Sequence, residues 1–131
     1  MLHAFSTIYS IAGEPPPTVN FEGIWVNELG STMRLTVSAD GHVRGIYKTA
    51  VGSPTATEEF ELVGFASGDL ISFTVDFGRY GSLTSWVGQH TDQGQGAVIK
   101  TIWLLAQNVP DPEEPAKLWG SVLTGYNNFT R

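Results

Sequence analysis

Turn-forming residues interrupt the chain at short, regular intervals. From Phe21 onward, clusters of Gly, Pro, Ser, Asn and Asp recur roughly every 8–15 residues, a spacing typical of many short strands. No long segment between these clusters shows the period of an amphipathic helix. Asp40-Gly41 lies between two alternating runs and predicts a hairpin, because Gly accepts the positive φ that such a turn needs.

The segments between the turns alternate apolar and polar side chains. In one of them Met33, Leu35 and Val37 fall on one face of a strand, because every second side chain points the same way. An even number of antiparallel strands can close on itself and lose its exposed edges. We therefore predict an all-β fold of eight strands, which can close into an antiparallel up-and-down β-barrel. Its strands are expected at about residues 23–29, 33–38, 43–51, 58–66, 70–77, 82–90, 97–106 and 119–127.

The 131 residues fit a single domain that is long enough to bury its own core. Pro15, Pro16 and Pro17 form a stiff segment that cannot donate ladder hydrogen bonds. We expect residues 1–20 to be a poorly ordered N-terminal tail and residues 21–131 to form the barrel domain. The first dozen residues have no basic start and give no clear export signal.

Charge and composition argue against several classes of partner. Thirteen Asp and Glu against seven Lys and Arg give a net charge of −6, and no basic cluster exists to neutralise phosphates or an anionic membrane surface. No apolar run approaches the roughly 20 residues of a membrane-spanning helix. The absence of cysteine excludes a disulfide framework and a thiolate metal site. We therefore expect no nucleic acid and no membrane as partners.

Four predicted strands carry aromatic and small polar side chains together on one face. Turned into a barrel, such faces would line an apolar cavity with a few uncharged donors and acceptors, the usual composition of a small-molecule site. The four sets are Trp25, Asn27 and Leu29; Tyr47, Thr49 and Val51; Ser82, Thr84 and Trp86; and Thr101, Trp103 and Leu105.

The seventh strand is apolar on its other face as well. Ile102 and Leu104 lie on the side opposite Trp103, where a wall exposed to water would normally be polar. We therefore predict that this outer surface packs on another subunit.

Six motifs stand in order between Gly23 and Arg131. In type and spacing they resemble the avidin/streptavidin family of biotin-binding proteins. The resemblance implies an eight-stranded barrel with its ligand site inside one end, high-affinity binding of biotin (vitamin sequestration) without catalysis, and no cofactor or metal. The motifs are GIWVNELGS (23–31), YKTAVG (47–52), SLTSWVGQ (82–89), TIWLL (101–105), LW (118–119) and GYNNFTR (125–131).

The resemblance also implies a role for individual residues. Three would donate to the ureido oxygen of biotin, two would accept from its N–H groups, and Thr84 would face its sulfur. Asn127 stands where some members carry Asp, and an amide accepts a weaker hydrogen bond than a carboxylate. The implied donors are Asn27, Ser31 and Tyr47; the acceptors are Thr49 and Asn127; the aromatic box is Phe77, Trp86, Trp103 and Trp119; the carboxylate contacts are Ser82 and Ser53, with a lid at 52–57; and Leu29, Val51, Gly52 and Leu105 complete the site.

Trp119 matches a tryptophan that reaches into a neighbouring subunit's site. Together with the apolar outer face of the seventh strand, it predicts a homotetramer built as a dimer of dimers. The resemblance further implies a secreted or periplasmic protein.

Two other functions remain open from the sequence. One is a lipocalin-like or fatty-acid-binding barrel that carries another apolar ligand. The other is a small β-sandwich glycoside hydrolase, which would need two carboxylates flanking the sugar. Asp76 falls on the face opposite Phe73 and Val75, so no inward carboxylate pair is visible.

Overall fold

The computed structural model describes residues 19–55 and 57–131. The tail expected at residues 1–20 therefore lies outside the described residues, apart from its last two positions. Val19 donates its backbone N–H to the Gly68 carbonyl oxygen (3.2 Å). Phe21, which follows, is buried in the core.

Within these residues eight antiparallel strands form one closed barrel, and β8 pairs with β1 to complete it. The predicted fold class is confirmed. The strands are β1 (Gly23–Asn27), β2 (Thr32–Val37), β3 (His42–Lys48), β4 (Phe60–Ser67), β5 (Leu70–Phe77), β6 (Ser82–Asp92), β7 (Ala97–Gln107) and β8 (Val122–Thr130). A four-residue helix, α1 (Glu114–Lys117), and the 3-10 turns Gly78–Tyr80, Asp111–Glu113 and Leu118–Gly120 join them.

The predicted start of the last strand, at residue 119, was wrong. Leu118–Gly120 is a 3-10 turn, and Ser121 closes it by donating both its N–H (3.0 Å) and its hydroxyl (2.7 Å) to the Leu118 carbonyl oxygen. The first strand also ends earlier than predicted, because Gly30 donates its N–H to the Asn27 carbonyl and turns the chain (3.0 Å). At the start of β8 and at the end of β1 the chain forms a turn, although an alternating pattern alone would predict a continued strand.

Large apolar side chains fill one half of the barrel interior. They alternate with exposed residues along each strand, as the pleat requires. Gly64 lies opposite Phe73 in the β4–β5 ladder, and a Cβ there would lie 1.9 Å from the Ser72 carbonyl oxygen. This close approach of the strands needs glycine. The fully buried apolar side chains include Trp25, Met33, Leu35, Leu62, Ile71, Phe73, Val75, Ile99 and Phe129.

The end of the barrel near Trp25 is closed by the two ends of the barrel domain. The indole N–H of Trp25 donates to the Phe21 carbonyl oxygen (2.9 Å). The Arg131 guanidinium lies 4.3 Å from the centre of the Trp25 ring and donates to the carbonyl oxygens of Asn20 (2.9 Å) and Glu22 (3.2 Å). A cation on an aromatic face and two charge-assisted hydrogen bonds thus hold this end together.

No helix among the described residues is both long and apolar enough to cross a membrane.

Arg131→Ala should lower the free energy of unfolding by about 1–2 kcal/mol, because it removes the contact with Trp25 and both backbone hydrogen bonds. Urea denaturation measures the change. Arg34→Ala is the matched control, since Arg34 is exposed on β2 and makes no side-chain hydrogen bond to the described residues. Equal losses in the two variants would contradict the role given to Arg131.

Candidate ligand-binding site

The other end of the barrel holds a cavity of about 350 Å³, a volume within the range of small-molecule sites. Its lining contains no Asp, Glu, Lys or Arg from the described part of the chain. All the predicted site residues except Trp119 line it: Asn27, Leu29, Ser31, Tyr47, Thr49, Val51, Gly52, Ser53, Phe77, Ser82, Thr84, Trp86, Trp103, Leu105 and Asn127. Pro54, which belongs to the predicted lid, lines it too, and the sequence interpretation missed Tyr80, Gln107 and Leu123, which line it as well.

The Asn27 amide has a defined orientation at the end of β1. Its Oδ1 accepts the backbone N–H groups of Leu29 and Ser31, each at 3.0 Å. These two donors determine the orientation of the amide, because only its oxygen can accept from them. The Nδ2 group lies on the cavity side, 3.5 Å from the Tyr47 hydroxyl, and acts as a donor there.

Ser31 and Tyr47 provide two further donors beside Asn27. The Ser31 oxygen accepts the Ala50 N–H (2.9 Å), so its own hydrogen is left for an acceptor. Burial raises the pKa of Tyr47 to about 12. Hydrogen bonds with Ser31 and Asn27 act in the opposite direction, and the negative charge of Glu28 adds to the rise. Tyr47 therefore keeps its proton at neutral pH. Three uncharged donors lie together in one part of the cavity.

Thr49 presents an acceptor, because its hydroxyl hydrogen is already used. The hydroxyl donates to the Val51 carbonyl oxygen (2.9 Å) and accepts the Val51 N–H (3.2 Å). One lone pair of the Thr49 oxygen then remains for a ligand donor.

Asn127 on β8 presents a second acceptor. Its Oδ1 accepts the indole N–H of Trp86 (3.0 Å), and its Nδ2 donates to Glu28 (3.0 Å). Because both ends of the amide are engaged, its oxygen faces Trp86 and the cavity. The side chain is 5% exposed, so water competes little for the remaining lone pair of Oδ1.

Aromatic rings form the apolar part of the wall. The Trp86 ring stacks on Phe73 with centroids 5.2 Å apart and an interplanar angle of 16°, and it lies 5.1 Å from Tyr47. Trp103 lies over Gly125, where a Cβ would come 2.3 Å from the indole. Glycine at position 125 therefore makes room for this ring.

The hydroxyl of Thr84 is buried inside the cavity wall without a hydrogen-bond partner among the described residues. A buried polar group left unpaired destabilises the folded protein. Because Thr84 is one of the residues that line the cavity, a bound ligand could supply the missing partner.

Tyr80 and Gln107 lie at the cavity mouth together with Ser82. The Tyr80 hydroxyl donates to the Glu58 carboxylate (2.6 Å), a hydrogen bond that raises the pKa of Tyr80 and lowers the pKa of Glu58. This contact ties the loop after β3 to the 3-10 turn after β5. Of the predicted lid, Ala56 lies outside the described residues.

Trp119 lies away from its own chain's cavity. Its side chain is 89% exposed, and its indole N–H donates to the Ala116 carbonyl oxygen (3.0 Å). The short turn after α1 holds the ring outward.

The described residues do not form the carboxylate pair of a glycoside hydrolase or a metal site. Asp76 lies on the outer face, as the alternation predicted. Its carboxylate accepts the Gly78 N–H (2.7 Å). A closed barrel also excludes the β-sandwich alternative. No group of three or more metal-ligating side chains occurs within residues 19–55 and 57–131.

Thr84→Val should raise the free energy of unfolding of the unliganded protein by about 1 kcal/mol, because it removes an unpaired buried hydroxyl. Thr101→Val is the matched control. The Thr101 hydroxyl is also buried but donates to the Asn127 carbonyl oxygen (2.9 Å), so its loss should destabilise. Denaturant unfolding of both variants should give opposite signs, and destabilisation by Thr84→Val would contradict the unpaired state.

Comparison with known proteins places the chain in a family. The model of the Avidin family matches residues 16–131. Avidin-related protein 4/5 of Gallus gallus is 37% identical over 83% of this chain and 75% of its own length, and Gallus gallus avidin is 34% identical over 83% and 76%. The crystal structure of Xenavidin superposes with a TM-score of 0.74 at 28% identity, covering 87% of this chain and 98% of that one. The chain therefore belongs to the Avidin family, whose members are biotin-binding proteins that catalyse no reaction.

Proposed function

We propose that this protein binds biotin without chemical change inside the open end of its barrel and so sequesters the vitamin. The observation that carries the proposal is the sorting of polar groups in the cavity. Three donors lie together, and two acceptors have their orientation fixed by other hydrogen bonds. A cyclic urea has the complementary set, one carbonyl oxygen and two N–H groups.

The ureido oxygen would accept from Asn27, Ser31 and Tyr47. Its two N–H groups would donate to Thr49 and Asn127. Because hydrogen bonds within the protein orient these side chains, little conformational freedom is lost on binding. Hydrogen bonds then determine orientation and selectivity.

The rest of the ligand would fill the apolar part of the cavity. The bicyclic ring and alkyl chain would pack against the aromatic walls and the neighbouring aliphatic side chains, with burial worth roughly 25 cal/mol per Å² of apolar surface. Thr84 would face the sulfur, and the carboxylate would lie at the mouth. The packing residues are Leu29, Val51, Gly52, Phe77, Trp86, Trp103 and Leu105, and the mouth residues are Ser53 and Ser82.

The composition of the cavity favours biotin binding over the alternative of a fatty-acid carrier. The described lining has no arginine or lysine that could pair with a buried carboxylate. Its buried polar groups would also be left without partners against an alkyl chain.

The protein would work as a homotetramer, a dimer of dimers, with Trp119 closing a neighbouring subunit's site. In the single chain Trp119 is 89% exposed, Tyr126 77% and Ile102 63%. Tyr126 and Ile102 are register partners in the β7–β8 ladder and lie on one outer surface. An exposed apolar surface of this kind favours association with another copy.

Export to the periplasm or the medium is also proposed, on family membership alone. Immunodetection in culture medium and periplasmic extracts of the source cells tests it, and retention in the cytoplasm would contradict it.

Calorimetric titration with biotin, and melts with and without it, test the main proposal. Asn27→Asp should preserve the turn, because a side-chain oxygen still accepts from Leu29 and Ser31, but an oxygen replaces the donor at the ureido carbonyl. We expect biotin affinity to fall at least about 100-fold.

The matched control is Asn20→Asp. Asn20 also accepts a backbone N–H two residues ahead, from Glu22 (2.9 Å), but it lies outside the cavity. It should bind like the unchanged protein. No heat and no shift in melting temperature for the unchanged protein would refute biotin binding.

Trp119→Lys should weaken both the tetramer and biotin retention, because a charge replaces an apolar ring at the subunit contact. Trp119→Phe, which keeps an apolar ring, should preserve the assembly. Light scattering gives the mass of each variant, and an unchanged tetramer with Lys at this position would contradict the proposed contact.

A further inference from the structure

We propose that Glu28 is a positioning residue that holds and strengthens the acceptor that Asn127 offers to the ligand. The proposal deepens the biotin-binding function and rests on it for its effect on the ligand. Glu28 does not line the cavity, and the cavity residue to which its carboxylate is hydrogen-bonded is Asn127.

Glu28 connects the two strands that close the barrel. It directly follows β1, and its carboxylate reaches β8 with both oxygens. Oε1 accepts from the Asn127 side-chain Nδ2 and Oε2 from the Asn128 backbone N–H, each at 3.0 Å. Because its two oxygens accept from adjacent residues, the Glu28 carboxylate is held in one position beside the Asn127 amide.

The carboxylate selects one of the two orientations that the Asn127 amide could adopt. With Oδ1 toward Trp86, the amide accepts the indole N–H and donates to Glu28. Rotated by half a turn, its NH₂ group would meet the indole N–H, and its oxygen would meet the carboxylate. Both contacts would be repulsive. Glu28 therefore helps to keep an oxygen, and not an NH₂ group, in the cavity.

The charge of Glu28 also makes that oxygen a stronger acceptor. A carboxylate that accepts from the nitrogen end of an amide polarises it and increases the negative charge on its oxygen, because hydrogen bonds in a chain reinforce one another. Burial alone would raise the pKa of Glu28, but its hydrogen bonds from Asn127 and Asn128 lower it overall. The carboxylate is therefore charged at neutral pH. A charged residue that contacts no ligand thus improves an uncharged acceptor.

The unliganded protein provides the first test. In ¹⁵N–¹H spectra the indole peak of Trp86, identified by its loss in Trp86→Phe, reports the hydrogen bond to Asn127. Glu28→Ala should move this peak, and Glu28→Gln should move it less, because Gln keeps one acceptor oxygen but loses the charge. The indole peak of Trp25, which donates to the Phe21 carbonyl oxygen at the packed end of the barrel, should stay in place.

The dissociation rate of tritiated biotin provides the second test. Glu28→Ala should release biotin about tenfold faster, equivalent to roughly 1.4 kcal/mol, with Glu28→Gln between Glu28→Ala and the unchanged protein. Glu22→Ala is the matched control. The Glu22 carboxylate also accepts a backbone N–H, from Val37 (3.1 Å), but neither residue is among those that line the cavity. Its release rate should be unchanged.

The outcomes separate the two proposals. An unmoved Trp86 peak, or a faster release that Glu28→Ala shares with Glu22→Ala, would overturn the role of Glu28. If the unchanged protein fails to bind tritiated biotin, the proposed function fails, while the Trp86 peak still decides whether Glu28 holds Asn127.

Discussion

The fixed orientation of two side-chain amides governs what the cavity can recognise. Asn27 has its oxygen held by two backbone N–H groups, so its NH₂ group faces inward as a donor. Asn127 has its nitrogen held by Glu28 and its oxygen by Trp86, so it presents an acceptor. One Asn is therefore a donor and the other an acceptor, because different neighbouring residues hold the two amides. The protein's own hydrogen bonds fix both orientations, and this preorganisation favours tight binding.

The two ends of the barrel differ in how their interiors are filled. Around Trp25 the interior is packed, and Arg131 contacts the Trp25 ring and the backbone of Asn20 and Glu22. At the open end the interior forms a cavity, and the Thr84 hydroxyl has no hydrogen-bond partner among the described residues. Packing at one end stabilises a fold whose other end retains unsatisfied groups for a ligand. Such local costs in stability are expected where a protein binds.

Turn spacing and alternation along the strands were enough to predict eight strands and much of the inner surface of the barrel. Trp86 and Trp103 could be assigned to the cavity because strand geometry fixes which way every second side chain points, whereas Asn127 was assigned from the family resemblance. Tyr80 was missed because it lies in a 3-10 turn, where period-2 alternation does not apply. Trp119 was assigned to a strand, whereas its turn is closed by Ser121. The Glu28–Asn127 contact joins residues 99 positions apart and follows only from barrel closure.

A crystal structure of the protein soaked with biotin tests the central claim most directly. The measured quantities are the distances from the ureido atoms to the side chains that the cavity orients. We predict the ureido oxygen within hydrogen-bond distance of Asn27 Nδ2 and the Tyr47 hydroxyl, and one ureido nitrogen within that distance of Asn127 Oδ1. Biotin with its ring reversed in the cavity, or with its ureido group hydrogen-bonded only to solvent, would contradict the account.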